Sequence, residues 1–184
     1  MKKSIIIITL ILLTVTIVFG QNKRPVTLNP RSGYVNINEL NCGYGLGEIH
    51  NDYSKYFYGL TTTHGYQLNI YGLGVNSSLV CGIGTGIFLY NGGPKLLLPL
   101  YGDIRFTMKK KKVSPFVFAR GGFLISVKDL NEQTRLFANG GGGVYLRIGD
   151  HLAINFGPGL FIQMGAVARD AFINLNVGVV FKPM

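Results

Sequence analysis

Between residues 170 and 182 the chain alternates strictly. Ala171, Ile173, Leu175, Val177, Val179 and Phe181 form one wholly apolar face, and Asp170, Phe172, Asn174, Asn176, Gly178, Val180 and Lys182 form the other. A period of two with one unbroken apolar side is the signature of a strand lying between water and oil. The segment before it follows the same rule. Leu152, Ile154, Phe156, Pro158, Leu160 and Ile162 oppose His151, Ala153, Asn155, Gly157, Gly159, Phe161 and Gln163. Upstream again, Leu136, Ala138, Gly140, Gly142, Val144, Leu146 and Ile148 oppose Arg135, Phe137, Asn139, Gly141, Gly143, Tyr145 and Arg147. The pattern weakens but persists over Val113–Val127, Lys95–Thr107, Ser78–Tyr90 and Leu60–Tyr71. A first strand spans Gly33–Leu46, with its sidedness open because Asn and Tyr share a face.

That makes eight strands. The segments Glu48–Tyr56, Lys128–Thr134 and Met164–Arg169 read as loops at one end. Lys109–Lys112, Gly149–Asp150 and Asn76–Ser77 read as tight turns at the other, and Asn91-Gly92-Gly93 is a short turn where a longer loop is expected. Short turns on one rim and longer loops on the opposite rim belong to outer-membrane barrels. A soluble eight-stranded cup has the same strand count, but its outer faces should carry charge, and here they carry Leu, Ile, Val and Phe. The expected fold is all-β, an eight-stranded antiparallel up-and-down transmembrane β-barrel, with both termini on the periplasmic side.

Composition supports alternation over helical spans. Charged residues are 14% of 184, against about 25% in an ordinary soluble domain. Even so, beyond the first segment no apolar run approaches the roughly 20 residues of a spanning helix. Lys2 and Lys3, the apolar run to Phe19, and Gly20 before Gln21 read as a secretory signal peptide over residues 1–20; an uncleaved anchor is the alternative. Residues 21–32 would then be a periplasmic N-terminal segment, and residues 33–184 the barrel domain. Without Lys2 and Lys3 the net charge of +10 falls to +8, with four basic residues gathered at Lys109–Lys112. The rest are dispersed and form no nucleic-acid motif, so nucleic acid is not an expected partner. Lys109–Lys112 is a solvated turn or a contact for anionic headgroups.

Candidate chemistry is sparse. The presumed inner face carries Asp103, Arg105, Arg120, Arg135, Arg147 and Lys182, with Glu39 less surely placed. An eight-stranded barrel is just wide enough for side chains to fill, and buried charge is costly unless paired. A salt-bridged plug linking Asp103 to nearby arginines is therefore expected over a selective pore lining. Tyr53, Tyr56, Phe57 and Tyr58, at the junction of the first loop, and Phe181, at the end of the last strand, suit interfacial girdles. A lipid-modifying enzyme would need His with Ser and a carboxylate near the outer rim. His50-Asn51-Asp52 lies on that rim, but no serine spacing completes a triad, and Ser54 is merely nearby. His151 reads as turn chemistry beside Asp150, and His64 falls on the apolar-facing register. Cys42 and Cys81 lie on the first and third strands, too far apart for a bridge, so free thiols are expected. No spacing suits a metal and no cofactor is expected. Gly82–Gly86 and Asn139–Gly143 precede no helix, so they relieve crowding in strands rather than cradle phosphate.

The stretches Thr63–Asn69, Gly82–Gly86, Leu98–Phe106 and Lys112–Phe116 resemble small outer-membrane β-barrel proteins of Bacteroidetes-type bacteria, the outer membrane protein beta-barrel family, with a similarity spanning about Gly33 to Phe181. A mature start at Gln21 also resembles signal peptides of that group. The resemblance implies fold and location and brings no catalytic residues. Outer-membrane lipid is the expected surrounding; the resemblance implies little about activity, and the reading of the residues favours a non-enzymatic structural or surface-interaction role. The alternatives are a narrow solute pore or a lipid-modifying enzyme; a surface ligand is not identified. By likeness to outer-membrane proteins generally, Phe181 would be read by the barrel-insertion machinery, although the trailing Lys182-Pro183-Met184 departs from a strictly terminal aromatic.

Overall fold

A computed structural model describes residues 27–28, 32–49, 55–71, 77–91, 96–108, 112–127, 134–149, 151–165 and 169–182. The expected signal peptide, most of residues 21–32, His50, Tyr53, Ser54, Lys109–Lys111 and Asp150 lie outside the described residues.

Eight long strands follow one another: β1 (Gly33–Leu46), β2 (Tyr56–Tyr71), β3 (Ser77–Tyr90), β4 (Leu96–Met108), β5 (Val113–Ser126), β6 (Arg135–Arg147), β7 (Leu152–Met164) and β8 (Arg169–Phe181). Each pairs antiparallel with its chain neighbours, and β1 pairs with β8 from Asn36↔Phe181 to Leu46↔Ala171. Closure leaves no long unpaired edge, which is how an antiparallel sheet satisfies its own backbone. The two-residue piece Thr27–Leu28 adds to β2 opposite Tyr71 and Ile70.

The eight alternating segments coincide with the eight strands, and seven begin within one residue of the expected position. The exception is β2, which starts at Tyr56 rather than Leu60. The aromatic run assigned to a loop junction is strand, and it alternates: Tyr56 and Tyr58 point outward while Phe57 is fully buried. Phe57 is thus a core residue and not part of an interfacial girdle. Tyr56 and Tyr58 do lie on the outside at the loop end, with Tyr56 against Tyr44 at 5.2 Å between ring centres, and Phe181 lies on the outside at the opposite end.

Two of the connections at the loop end, β1–β2 and β5–β6, are nine and eight residues long; β3–β4 and β7–β8 are five and four, and those at the terminal end are four or five. On β4 to β8 every outward residue between the rims is aliphatic, aromatic, Gly or Pro.

The lumen is filled in layers. Toward the loop end Phe57, Phe88, Tyr90, Tyr101, Phe137, Phe161 and Phe172 pack with Leu97 and Leu124, neighbouring rings edge-on or tilted with centres 5–6 Å apart, as aromatic quadrupoles favour. Several rings lie flat against glycines: Phe57 over Gly43 and Phe88 over Gly59 occupy the space a Cβ would need. Val35, Ile37, Val80 and Val180 close the terminal end. Between these layers lie the charges.

Candidate functional site: a buried charge cluster across the lumen

Alternation brings Glu39 (β1), Asp103 and Arg105 (β4), Arg120 (β5), Tyr145 (β6) and Asn155 (β7) to the inner face, and strand stagger sets them at a common height. Arg105 is the hub and is fully buried. Its Nη1 and Nη2 donate to the two oxygens of Glu39 at 3.0 and 2.9 Å, a bidentate contact across the lumen. Its Nε and Nη2 donate to Asp103 at 3.0 and 2.7 Å, and Nη1 donates to the Tyr145 hydroxyl at 3.4 Å. Arg120 bonds both carboxylates, reaching Asp103 through Nε at 3.0 Å and Glu39 through Nη2. The Asn155 amide donates to Glu39 Oε1, which also accepts from Arg105 Nη1.

Two carboxylates thus face two guanidinium groups, and the cluster is neutral. Charge-assisted and bidentate bonds of this kind are the strong class, and nothing less would offset the desolvation of four ions. The guanidinium of Arg120 also lies 4.8 Å from the Phe118 ring centre, with Arg105 5.9 Å from Phe116 and Phe118. These rings have room because Gly141, Gly157 and Gly159 line the wall beneath them. The glycine run Asn139–Gly143 serves packing, as its lack of a following helix indicates.

Of the expected interior charges, the structure unites Asp103, Arg105, Arg120 and the less surely placed Glu39. Arg135 and Arg147 are not members. Arg135 sits at the loop-end rim, where its Nη1 lies 3.5 Å from Asp170, and Gln163 links Asp170 to Tyr90. Arg147 ends β6 and is exposed at the terminal mouth, because the last inward position of a strand projects past the packed layers. Asn155 and Tyr145 complete the cluster instead. Charge balance also points to Glu39, since Asp103 alone cannot neutralise two inward arginines.

A polar recess of about 30 Å³ at the terminal mouth, lined by Ser114, Tyr145, Arg147 and Lys182 among others, has room for a water and no larger ligand. The two described histidines have ordinary partners: His151 Nδ1 contacts the Lys182 carbonyl oxygen at 3.1 Å, and His64 contacts Tyr34 on the outside. Cys42 and Cys81 are free thiols exposed on the outer wall. Among the described residues no group of His, Cys, Asp and Glu could hold a metal ion.

No protein-family model matches the chain, and no curated protein matches it in sequence. Solved structures do match in shape. The crystal structure of Neisserial surface protein A is 12% identical, covers 83% of this chain and 99% of its own, and superposes with a TM-score of 0.57. The N-terminal β-barrel domain of Pseudomonas aeruginosa OprF is 18% identical, covers 81% and 98%, and has a TM-score of 0.41. With eight antiparallel strands closed β1 to β8 and that superposition, the chain has the fold of the eight-stranded outer-membrane β-barrels.

Proposed function

We infer that the protein is an integral barrel of a bacterial outer membrane, closed to solutes, with a structural or surface-interaction role exercised through its loop end. The observation that carries this reading is the combination of an apolar outside and a charged inside. A soluble barrel would bury the first and solvate the second, whereas this chain inverts that arrangement. Tyr44, Tyr56 and Tyr58 at one end, with Tyr34 and Phe181 at the other, supply aromatic belts. β1 begins and β8 ends at the rim with the shorter connections, which supports a periplasmic placement of the termini and an external placement of the two long loops. An outward Phe181 near the end of β8 suits recognition by the insertion machinery. Kinship with Bacteroidetes-type barrels rests on the stretches such as Leu98–Phe106.

The Glu39–Arg105 bridge crossing the lumen supports a plug over a pore. The partners of His64 and His151 support a non-enzymatic role. The test is cell fractionation followed by planar-bilayer recording. The expected result is outer-membrane recovery, a gel mobility that shifts on heating, and no discrete conductance steps. A soluble, heat-insensitive product would overturn the membrane reading, and regular conductance steps would overturn the plug.

A further inference from the structure

At the terminal mouth the inner face ends in hydrogen-bond donors that the chain itself does not answer. Ser78 (β3), Thr107 (β4), Tyr145 and Arg147 (β6), with Ser114 and Lys182, line the recess of about 30 Å³ there. Ser78 and Thr107 stand opposite each other on the β3–β4 ladder, and both are buried. Among the described residues neither hydroxyl has a protein partner, and the Arg147 side chain has none either. Tyr145 accepts from Arg105 Nη1 at 3.4 Å, which leaves its own O–H to donate. No acceptor among the described residues takes it.

The surroundings of these donors are positive. Arg147 is exposed at the mouth, and its backbone N–H bonds the Lys112 carbonyl at 3.0 Å, so two strand ends bring cations side by side. Lys182 reaches the same recess from the end of β8. The described carboxylates are engaged or distant: Glu39 and Asp103 pair with the two inner arginines, and Glu48 and Asp170 stand at the loop end. Asp150 is the one acidic side chain in the turns of this rim, against the basic run Lys109–Lys112.

Buried donors without acceptors, set beneath cations, make the lining of an anion site. A water would answer the donors without using the charge. The recess admits one atom the size of a water oxygen, and the exposed cations lie outside it, over the mouth. An oxyanion matches both features: one oxygen enters, and the others stay at the mouth with Arg147, whose planar fork bonds two at once. A phosphate group fits better than a carboxylate, since it has more acceptor oxygens and about two charges. The outer wall at this rim carries Tyr34, Met108, Val113, Leu146 and Phe181, so the cations of the recess face the lumen and water rather than the surrounding wall. We propose that the terminal mouth is a binding site for a phosphate group borne by a water-soluble molecule. That this molecule is periplasmic rests on the membrane reading; the site itself does not.

The test uses the purified full chain in maltoside micelles, which contain no phosphorus, and the heat-dependent mobility shift verifies the fold of each variant. Inorganic phosphate is titrated at neutral pH in about 0.15 M sodium chloride, so that chloride competes throughout. Saturable broadening of the phosphate resonance in phosphorus NMR is expected. Arg147→Gln should weaken binding at least about tenfold, the worth of one charge-assisted contact. Thr107→Val, which leaves the charge and the shape unchanged, should weaken it about threefold or more, as loss of one neutral hydrogen bond does. Arg169→Gln, the same loss of charge at the opposite rim, should leave it unchanged. No broadening, no effect of Arg147→Gln, or an equal effect of Arg169→Gln would overturn the site. Binding indifferent to Thr107→Val would reduce it to diffuse positive charge and overturn the recess. The titration is repeated in nanodiscs of phosphatidylglycerol, where binding is expected to persist; its loss there would assign the mouth to a lipid headgroup and overturn the soluble source. Recovery of the protein in the soluble fraction of cells would overturn the membrane reading and leave the phosphate result standing.

Discussion

Arg105 carries more of the interior than any other residue. It joins Glu39 to Asp103, which approach from strands three apart around the ring. Removing it leaves two carboxylates facing one guanidinium, an uncompensated negative charge in a dry lumen. Arg105→Met is expected to destabilise the barrel by about 3–5 kcal/mol, the usual cost of breaking a buried pair, as read by urea unfolding in detergent micelles. Adding Glu39→Gln to that variant restores a neutral interior, with Asp103 and Arg120 still 3.0 Å apart. The double variant should regain part of the loss, and a further loss would mean that the cluster acts through packing rather than charge. Three of its four ions were legible in the sequence from alternation alone. Glu39 was placed there less surely, because the mixed Asn and Tyr positions of β1 blur which face is inward.

At the scale of the strand, β2 shows how local composition misleads. Tyr56-Phe57-Tyr58 resembles a girdle cluster when read as a block, but a strand sends neighbours to opposite faces. Phe57 meets Phe88, Tyr90, Phe161 and Phe172 with ring centres 5.1–5.4 Å away, while Tyr58 is 57% exposed. Phe57→Ala should therefore cost about 3–5 kcal/mol, the range for emptying an aromatic core site, and Tyr58→Ala markedly less in the same unfolding assay. Equal costs would mean that the register of β2 is wrong. Gly59 belongs to the same argument, since the Phe88 ring occupies the place of its Cβ. Gly59→Val should prevent heat-modifiable folding, because the ring cannot withdraw from a packed layer.

For the whole molecule, the proposed membrane placement has the native cysteines, exposed on the apolar outer wall, facing away from water. Cys42 and Cys81 both face outward from strands that are not paired to each other. In intact outer membranes they should react with an uncharged, membrane-partitioning maleimide and resist a sulfonated one, with labelling read by mass spectrometry. Non-reducing gels of unlabelled protein should show no intramolecular disulfide. Rapid labelling by the sulfonated reagent would place that wall in water and contradict the membrane reading.

Alternation alone determined the number of strands and, from β3 to β8, which residues face in or out, because side-chain sidedness in a strand is set by residue parity and needs no partner; it left the sidedness of β1 and the first residues of β2 open. It also marked the outer wall as apolar, since that face repeats along every strand from β4 to β8. Only the tertiary structure decided which inward charges meet. Height along the barrel axis depends on the stagger between neighbouring strands, and a pairing such as Arg105 with Glu39 spans 66 residues of chain. The same geometry separated Arg135 and Arg147 from the cluster, one to each rim, although their parity is identical to that of Arg105 and Arg120. The register of β1, β2 and β3 likewise gathered Asn36, Asn38, Thr62, His64 and Thr85 side by side on the outer wall, because adjacency across strands is a property of the assembled sheet.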